Sequence, residues 1–472
     1  MKAEGSLPDL HNSPPLTFNA GMSKRIFISR RTFLSRCTAI AAATGLPRWF
    51  VERELSAATQ TPAPRSANDR FGLALIGCGG MGRGDIKSAS RFGDVVALCD
   101  VDTNQAAAVA KQFAGNPKVP DLVTDFRRIL DRKDVQVIVN ATPDHWHTLI
   151  NLGAASAHKD IYAEKPLTLT VDEGKRLVKA VRKENVVLQT GTQQRSNKLF
   201  RLACELVRNG RIGKLTQVTV YLPAGLREGP FKPVPVPDGF NWDFWLGQGP
   251  QVEYLKERTH QTFRWWFDYS GGPVTDWGAH HNDIARWAIG LDGPTDIEAK
   301  ALTEPIPGGY TTPSEFEATL TWANGVKQIV KTTVDDSPFG VALKPDGQRN
   351  GVRLEGTNGW IWVNRTTINA SDQEMLDTPL TDPAVKLEVS DDHMANFFEA
   401  VRSRKDPISP VEAGHQSAVV GHLIVIALRT GKTLKWDPAK EQFVGEGAKD
   451  ANSHLARKMR KPYDYRFAGS RT

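Results

Sequence analysis

Residues 271–290, GGPVTDWGAHHNDIARWAIG, bring two acids and two adjacent histidines into one short segment. Asp276, His280 and Asp283 are spaced four and three residues apart, so on a helix they can share one face, from which His281 points away. A histidine and a carboxylate so placed can move protons near neutral pH. They could instead bind a metal ion, although no recognised zinc spacing occurs, or cap and pack a buried helix. The choice depends on the rest of the chain.

A glycine-rich loop forms a second candidate site. Six consecutive residues make a G-x-G-x-x-G pattern: Gly77, Cys78, Gly79, Gly80, Met81 and Gly82. The pattern follows an apolar run at 71–76 and opens a helical pattern, and Asp100 ends the next apolar run. This context is the fingerprint of a dinucleotide-binding site, whereas the glycines alone would be a weak signal.

The loop and the acid have distinct expected roles. Gly77 permits a tight turn, Gly79 lets the backbone approach a pyrophosphate, and Gly82 allows a helix to pack closely on a strand. The start of the helix presents unpaired N–H groups to the phosphates. Asp100 would accept hydrogen bonds from the ribose hydroxyls and repel a 2′-phosphate. The sequence therefore predicts NAD as the cofactor, with NADP as the alternative.

The elements that would position these residues change character along the chain. Apolar runs predict strands, with helical patterns between them, at 71–76, 94–100, 135–143 and 160–166. Alternating strands and helices are typical of a parallel, doubly wound sheet. Farther on, strand patterns follow one another with turns between them, as at 216–222, 316–323, 327–334 and 359–363. This second pattern predicts a mainly antiparallel sheet.

Length and composition agree with two folded domains. The chain has 472 residues, of which 40% are hydrophobic and 24% charged, a balance typical of globular proteins. The formal charge of +7 comes partly from residues 1–58, which hold eight Lys or Arg and four Asp or Glu. Elsewhere no basic run with interleaved aromatic residues occurs, apart from a short basic segment at 457–463. These features argue against a nucleic-acid partner.

The first 58 residues are interpreted as a twin-arginine signal peptide. Arg30 and Arg31 precede Phe33 and Leu34, an Ala-rich apolar run follows at 37–47, and small residues suited to a signal peptidase come at 56–58. The apolar run is far shorter than the ~20 residues that a membrane span needs. We therefore expect export of the folded protein by the twin-arginine route to the periplasm or another extracytoplasmic space, and no membrane span.

Three further motifs make the chain resemble a known family. ATPDHWH at 141–147, AEKP at 163–166 and D-x-G-x-H at 276–280 follow the glycine loop in the order found in the glucose-fructose oxidoreductase/inositol 2-dehydrogenase (Gfo/Idh/MocA) family. The resemblance implies an α/β protein with an N-terminal Rossmann domain, which has a doubly wound parallel sheet, and a C-terminal α/β domain with an open, mainly antiparallel sheet. It also implies a nicotinamide cofactor between the domains and a homodimer or homotetramer, commonly built with the open sheet face.

The resemblance also implies roles for individual residues. Lys165 of the E-K-P motif matches the family's catalytic lysine, and Asp276 and His280 match its D-x-x-x-H pair. Cofactor contacts are implied for Thr142, Pro143, His147, Glu164 and Lys165. Substrate contacts are implied for Gln193 and Arg195 in the segment GTQQRS. For Asp283, substrate contact and structural support are equally compatible with the sequence.

These residue types suit hydride removal from a secondary alcohol. The reaction requires a base for the hydroxyl proton and a positive charge near the developing alkoxide. His280 suits the base, Asp276 can fix its tautomer or pass the proton onward, and Lys165 can supply the charge. The nicotinamide itself carries the redox chemistry.

The predicted organisation has five parts: a twin-arginine signal peptide at 1–58, a linker at 59–69, the NAD(P)-binding Rossmann domain at 70–191, a C-terminal substrate and oligomerisation domain at 192–440, and a basic tail at 441–472. Six of the twelve tryptophans fall between 242 and 287, next to the long loop region 223–270. Stacking on a sugar and internal packing are both compatible with this enrichment.

Export and a nicotinamide cofactor together constrain the function. A reduced cofactor released outside the cytoplasm could not readily be reoxidised, so we expect the protein to hold its cofactor tightly and to restore it at each turnover. The sequence thus predicts an exported NAD(P)-dependent oxidoreductase acting on a hydroxyl or ketone of a sugar or polyol. The alternatives are an NAD-dependent glycosidase that uses transient oxidation and elimination, and a sugar-binding protein without turnover.

Overall fold

The computed structural model describes residues 30–57, 70–116, 118–332 and 350–469. The predicted linker at 59–69, the part of the predicted signal before residue 30, and the last three residues lie outside the described residues. The described chain contains two sheets, one of six strands and one of nine.

The N-terminal sheet is entirely parallel. Its strands are β1 (Phe71–Ile76), β2 (Gly93–Cys99), β3 (Asp121–Val123), β4 (Val137–Asn140), β5 (Asp160–Ala163) and β6 (Leu188–Thr190). They lie in the order β3-β2-β1-β4-β5-β6. The strand order reverses between β1 and β4, and sheets of this kind bind ligands beyond the strand ends at that point. The predicted doubly wound parallel sheet is confirmed.

Helices cover both faces of the parallel sheet. They are α3 (Gly80–Ala89), α4 (Thr103–Ala110), α5 (Arg127–Leu130), α6 (Asp144–Ser156) and α7 (Val171–Lys183). On one face, residues of α3 and α4 pack with α12 (His393–Ser403), whose Phe397 and Phe398 are fully buried. On the other face, α5, α6 and α7 share a core with Tyr463 and Ala468 from the end of the chain.

The second sheet has nine strands: β7 (Leu215–Leu222), β8 (Pro294–Ala301), β9 (Phe316–Trp322), β10 (Lys327–Thr332), β11 (Gly351–Gly356), β12 (Gly359–Val363), β13 (Ile368–Ala370), β14 (Leu434–Asp437) and β15 (Gln442–Val444). Their order is β13-β12-β11-β7-β10-β9-β8-β14-β15, and of the described pairs only β7 with β10 is parallel. The predicted mainly antiparallel sheet is therefore confirmed.

One face of the second sheet is covered by three helices, α8 (Lys198–Arg208), α10 (Trp277–Ile289) and α13 (Val411–Thr430). Alternate residues of β9 are buried and half-buried, so the opposite face is partly open. Three short helices lie in connecting segments: α9 (Trp242–Leu246), α11 (Glu374–Asp377) and α14 (Ala448–Ser453). The arrangement places α10, which carries His280, between the second sheet and the parallel sheet's binding edge.

Two N-terminal helices, α1 (Arg30–Thr44) and α2 (Arg48–Ala57), pack onto the second domain. Cys37 of α1 and Phe50 of α2 are fully buried in the same core as α8. Glu54 of α2 forms a buried ion pair with Arg201 of α8. A few side chains of the predicted signal peptide after residue 30 are thus packed into the core, although most described side chains of α1 are exposed.

The C-terminal segment also packs back onto the fold. Strand β15 and helix α14 lie within the predicted basic tail, and Tyr463 and Phe467 contact Trp146 of α6. Among the described residues one helix, α13, is long and apolar enough to cross a membrane by length and composition. However, 78% of that stretch is buried inside the protein, as in the core helix of a globular domain.

Candidate active site

The glycine-rich loop turns tightly between β1 and α3. Gly77 has φ +91°, and a Cβ at Gly77 or Gly82 would collide with backbone oxygen atoms. A Cβ at Gly79 would meet nothing within 4 Å. Gly79 precedes α3 without a side-chain cap, so the first N–H groups of the helix can bind an anion. The loop therefore forms an open cradle that fits the diphosphate of a dinucleotide.

Asp100 follows β2 and faces this loop. Its carboxylate oxygens accept backbone N–H bonds from Cys78 at 2.7 Å and from Asp102 at 2.9 Å. Burial raises the pKa of Asp100 to about 6, although these two hydrogen bonds oppose the shift. The carboxylate braces the loop and lines the cavity beside it, where its remaining lone pairs can accept ribose hydroxyls.

One cavity of about 1290 Å³ joins the glycine loop to the second domain. It exceeds the ~300–1,000 Å³ of typical small-molecule pockets, so it can hold both a dinucleotide and a substrate. Nine of the predicted cofactor residues line it: Gly77, Gly79, Gly80, Met81, Asp100, Thr142, Pro143, Glu164 and Lys165. Asp276 and His280 line it from the second domain, so all three predicted catalytic residues lie in one cavity.

Lys165 and Asp276 meet across the boundary between the two sheets. Lys165 follows β5, and its Nζ lies 2.8 Å from Oδ1 of Asp276, the residue before α10. Arg264 Nε donates to the same oxygen at 3.1 Å. Burial alone would raise the pKa of Asp276, but the two cations outweigh it and hold the pKa below its usual value. Asp276 is therefore ionised at neutral pH and fixes the Lys165 ammonium in the cavity.

His280 lies one turn farther along α10 and is 6% exposed. Burial, and next the positive charges of Lys165 and Arg365, hold the pKa of His280 well below its usual value, so the ring is neutral at pH 7. Its Nδ1 has no hydrogen-bond partner among the residues that the structure describes. In place of the predicted contact with His280, the Asp276 carboxylate is held by Lys165 and Arg264. A neutral imidazole placed in this way can accept a hydroxyl proton.

Arg195 and Asp283 do not line the cavity. Arg195 Nε and Nη2 donate to the two carboxylate oxygens of Asp283, each at 2.7 Å, and Ser417 Oγ donates to Asp283 at 2.5 Å. The two side chains are 7% and 0% exposed. The predicted substrate contact of Arg195 is therefore corrected to a buried structural ion pair. Of the two roles that the sequence leaves open for Asp283, the structure shows structural support. Gln193, the third predicted substrate residue, does line the cavity and donates to Glu164 at 2.8 Å.

Three predicted cofactor residues, Cys78, Gly82 and His147, lie behind the cavity wall instead of lining it. His147 on α6 is 1% exposed, with Nδ1 2.7 Å from the Pro166 carbonyl oxygen and Nε2 2.8 Å from the Thr142 carbonyl oxygen. It links the chain after β4 to the chain after Lys165. His147 therefore positions residues of the cavity and does not itself face a ligand.

Sequence reasoning misses five charged residues of the cavity: Arg83, Asp85, Asp144, Arg264 and Arg365. Burial raises the pKa of Asp144 to about 7, even though Ser270 Oγ donates to it at 2.5 Å. Burial, and next the charge of Glu164, raises the pKa of Asp85, whose Oδ2 has no partner in the described part of the chain. Asp144 belongs to the ATPDHWH motif, which offered a signal. Arg264 and Arg365 come from loops without a recognised motif.

The aromatic segment 223–270 covers one side of the cavity. Most of its rings pack with one another in a buried cluster: Phe240, Trp242, Trp245, Tyr254, Phe263, Trp266 and Tyr269. The segment is tied to the parallel sheet's edge, because Asn241 N–H donates to the Val101 carbonyl and Thr103 N–H donates to the Gly239 carbonyl. Internal packing thus accounts for most of the aromatic enrichment. Trp265, together with Trp277 of α10, lines the cavity and is available to a ligand.

A dinucleotide cradle that opens onto buried acid–base side chains is typical of nicotinamide-dependent oxidoreductases. Residues 71–192 match the model of an oxidoreductase family described by its NAD-binding Rossmann fold, and residues 224–465 match the model of that family's C-terminal alpha/beta domain. The chain belongs to the Gfo/Idh/MocA oxidoreductase family. The family and the NAD-binding fold predicted from the sequence are thereby confirmed.

Individual relatives share this organisation. The chain is 28% identical over 383 residues to 1,5-anhydro-D-fructose reductase of Ensifer adhaerens. This match covers 78% of this chain and 98% of the relative. It is 27% identical over 262 residues to the uncharacterized oxidoreductase YrbE of Bacillus subtilis. This match covers 54% of this chain and 65% of YrbE, which is less than two thirds of that relative's length. The solved levoglucosan dehydrogenase complex with NADH and levoglucosan has a TM-score of 0.58 and 21% identity, covering 78% and 99% of the two chains, and shows the same fold.

Proposed function

We propose that the protein transfers a hydride between a bound NAD and a hydroxyl or ketone carbon of a sugar or polyol. One observation carries this proposal: Lys165, Asp276 and His280 meet in the cavity onto which the glycine loop opens. The names of two proteins similar to this chain, 1,5-anhydro-D-fructose reductase and levoglucosan dehydrogenase, support the substrate class.

Lys165 and His280 divide the work on the substrate hydroxyl. Neutral His280 accepts the hydroxyl proton as the C–H bond breaks, and its lowered pKa lets it return the proton in the reverse direction. The Lys165 ammonium, held by Asp276, stabilises negative charge on the same oxygen. Burial of these groups strengthens the electrostatic effect, because little water screens it. The nicotinamide supplies the hydride acceptor or donor.

We also propose that the cofactor stays bound through turnover. The hydrogen bonds from Asn241 to Val101 and from Thr103 to Gly239 hold the aromatic segment over the nucleotide side of the cavity, and they hinder release. The carboxyl group of Asp100 lies at this end of the cavity, which disfavours the additional phosphate of NADP.

Analysis of the bound nucleotide tests this function. The purified full-length protein is denatured, and the released nucleotide is identified and quantified by mass spectrometry. We expect close to one NAD or NADH per chain, and a change in nicotinamide absorbance when a sugar or polyol is added to the native protein without added cofactor. A protein that neither contains nor takes up a nicotinamide nucleotide would contradict the proposal.

A second candidate function is an NAD-dependent glycosidase that oxidises a sugar carbon transiently and eliminates the aglycone. Asp144 favours it, because a buried carboxyl with a pKa of about 7 can hold a proton at neutral pH and deliver it to a departing aglycone. Incubation with aryl glycosides and no added cofactor separates the two functions, since only the glycosidase releases the aglycone. A Lys165→Ala variant with every activity intact would instead favour a sugar-binding protein without turnover.

We propose export by the twin-arginine route, on the basis of Arg30, Arg31 and the segment that follows them. Cell fractionation of the natural protein and of the Arg30→Lys/Arg31→Lys double variant tests this localisation. Export of the natural protein alone is the expected result, and equal distribution of both proteins would contradict it.

We further propose a homodimer or homotetramer formed through the open face of the nine-stranded sheet. Half-buried residues of β9, among them Glu317, line that face and support the proposal. Light scattering on the purified protein is expected to give a dimer or tetramer, and a monomer at micromolar concentration would contradict it.

A further inference from the structure

Arg365 brings a positive charge into the cavity on a rigid turn. It lies between β12 and β13, in a turn where Asn364 Oδ1 accepts the backbone N–H groups of Thr366 at 2.9 Å and Thr367 at 2.7 Å. The Asn197 side chain donates to the Arg365 carbonyl at 3.0 Å. The backbone of Arg365 is thus fixed from two sides, and its side chain lines the cavity. Such fixed positions lower the entropic cost of binding a ligand.

The guanidinium of Arg365 is oriented by neutral groups. Its Nε donates to the Gln194 amide oxygen at 3.2 Å, when that amide is oriented so that its nitrogen donates to the His280 carbonyl at 3.0 Å. The guanidinium carbon lies 4.7 Å from the centre of the Trp277 ring. Arg365 is therefore connected through the Gln194 side chain to the helix that carries His280, at the substrate end of the cavity.

Arg365 differs from Lys165 and Arg264, the other cations at the substrate end of the cavity, because no described acid pairs with it. Arg83, which lines the nucleotide end, donates to the Cys78 carbonyl and to Gln105. Lys165 and Arg264 share the Asp276 carboxylate at 2.8 and 3.1 Å. In the described part of the chain no Asp or Glu forms an ion pair with Arg365. Burial lowers its pKa, and the more distant charges of Glu164 and Asp276 oppose this shift only in part. A partly buried guanidinium without a counterion is unfavourable, and its planar fork is complementary to a carboxylate. The substrate end of the cavity therefore contains one positive charge without an ion pair, which a bound anion would satisfy.

We propose that the substrate is a carbohydrate or polyol that carries a carboxylate, and that Arg365 binds this carboxylate while Lys165 and His280 act on a hydroxyl. The inference rests on the proposed oxidoreductase function. A single uncompensated cation matches the single negative charge of a carboxylate better than the two of a phosphate ester. The cofactor diphosphate is accommodated elsewhere, at the glycine loop and the start of α3.

A substrate panel with matched charges tests the inference. Glucose, gluconate, glucuronate and glucose 6-phosphate are added separately to the full-length protein with its bound nucleotide. The single turnover of the bound nicotinamide is followed by its absorbance, and the dependence of its rate on substrate concentration gives kcat/KM for this half-reaction. Binding is followed by calorimetry. We expect kcat/KM for the sugar acids to exceed that for glucose by about tenfold to a hundredfold, the range of one charged hydrogen-bonded contact. The sugar phosphate is expected to be the poorer anion.

Two variants connect this preference to Arg365. Arg365→Met removes the charge at similar length and is expected to lower the ratio of kcat/KM between sugar acid and glucose by about tenfold to a hundredfold. Arg365→Lys keeps the charge without the planar fork and should restore part of the ratio. Lys111→Met, just after α4, removes one exposed charge outside the cavity and away from the second sheet, and it should leave the ratio as it is. Nucleotide content is measured for every variant.

Each outcome decides a separate point. Equal turnover of glucose and the sugar acids, a preference for the phosphate, or loss of nucleotide from Arg365→Met with no change in the ratio would each overturn the carboxylate assignment. Binding of a sugar acid that depends on Arg365, without any change in the nicotinamide, would retain the carboxylate contact and contradict the proposed oxidoreductase function.

Discussion

The ion pair between Arg195 and Asp283 gives the sharpest test of a structural role against a substrate role. The pair has two charged hydrogen bonds of 2.7 Å, a third bond from Ser417, and exposures of 7% and 0%. Asp283→Asn removes the counterion and leaves the Arg195 guanidinium buried. Breaking one side of a buried pair costs about 3–5 kcal/mol. In a domain of this size 1 kcal/mol corresponds to about 2–4 °C, so Tm should fall by roughly 6–20 °C.

The assay is thermal unfolding with nucleotide saturating, alongside KM for the best sugar of the panel. Arg195→Met/Asp283→Leu removes both charges and should be less destabilised than Asp283→Asn, because no unpaired charge remains. Asp292→Asn serves as the control, since its side chain is 78% exposed and the change should cost about 0.5 kcal/mol or less. An Asp283→Asn protein with unchanged Tm and a raised KM would refute the structural role and return Asp283 to the substrate site.

Three further predictions follow from the same structure. Asp144 has a pKa of about 7 in the folded protein against 3.8 ordinarily, so the folded state keeps its proton longer and loses relative stability as pH rises from about 4 to about 7. Asp144→Asn should therefore gain Tm over the natural protein across that window, and a constant Tm difference would contradict the assignment. Glu54→Gln in the full-length chain leaves Arg201 buried with Glu205 as its remaining acid at 3.7 Å, so chemical denaturation should show a loss of about 1–3 kcal/mol, whereas equal stability would show that the pair with Glu54 contributes nothing. Lys165→Met should lower kcat by about 10²–10³-fold with nucleotide content retained, and an unchanged kcat would remove Lys165 from the mechanism.

The sequence predicts the features whose physical cause is local. Two causes lie within the glycine loop itself: Gly77 has φ +91°, and a Cβ at Gly82 would strike the Gly77 carbonyl oxygen. The flanking apolar run marks the strand before the loop. The alternation of strands and helices likewise predicts the parallel sheet, because the central strands β1 and β4 are mostly apolar and are buried along nearly their whole length. Such features can be read from neighbouring residues.

Residue spacing alone does not show what a helix face packs against. The spacing of Asp276, His280 and Asp283 suggests one shared face, yet Asp283 turns to Arg195 while Asp276, just before the helix, turns to Lys165. Each outcome depends on a partner about ninety or more residues away in the chain.

Arg264 and Arg365 are missed for the same reason. They come from loops whose own sequences carry no motif, and only the fold brings them beside Asp276 and His280.

The central claim is that hydride passes between a substrate carbon and a nicotinamide held in this cavity. The most direct measurement uses the best sugar of the panel with deuterium on the reacting carbon. It is added to the native protein without free cofactor, and the nucleotide is then extracted and its nicotinamide analysed by mass spectrometry. The account predicts deuterium in the nicotinamide of the natural protein and little or none in that of Lys165→Met. Turnover of the sugar with no deuterium in the nicotinamide would contradict it.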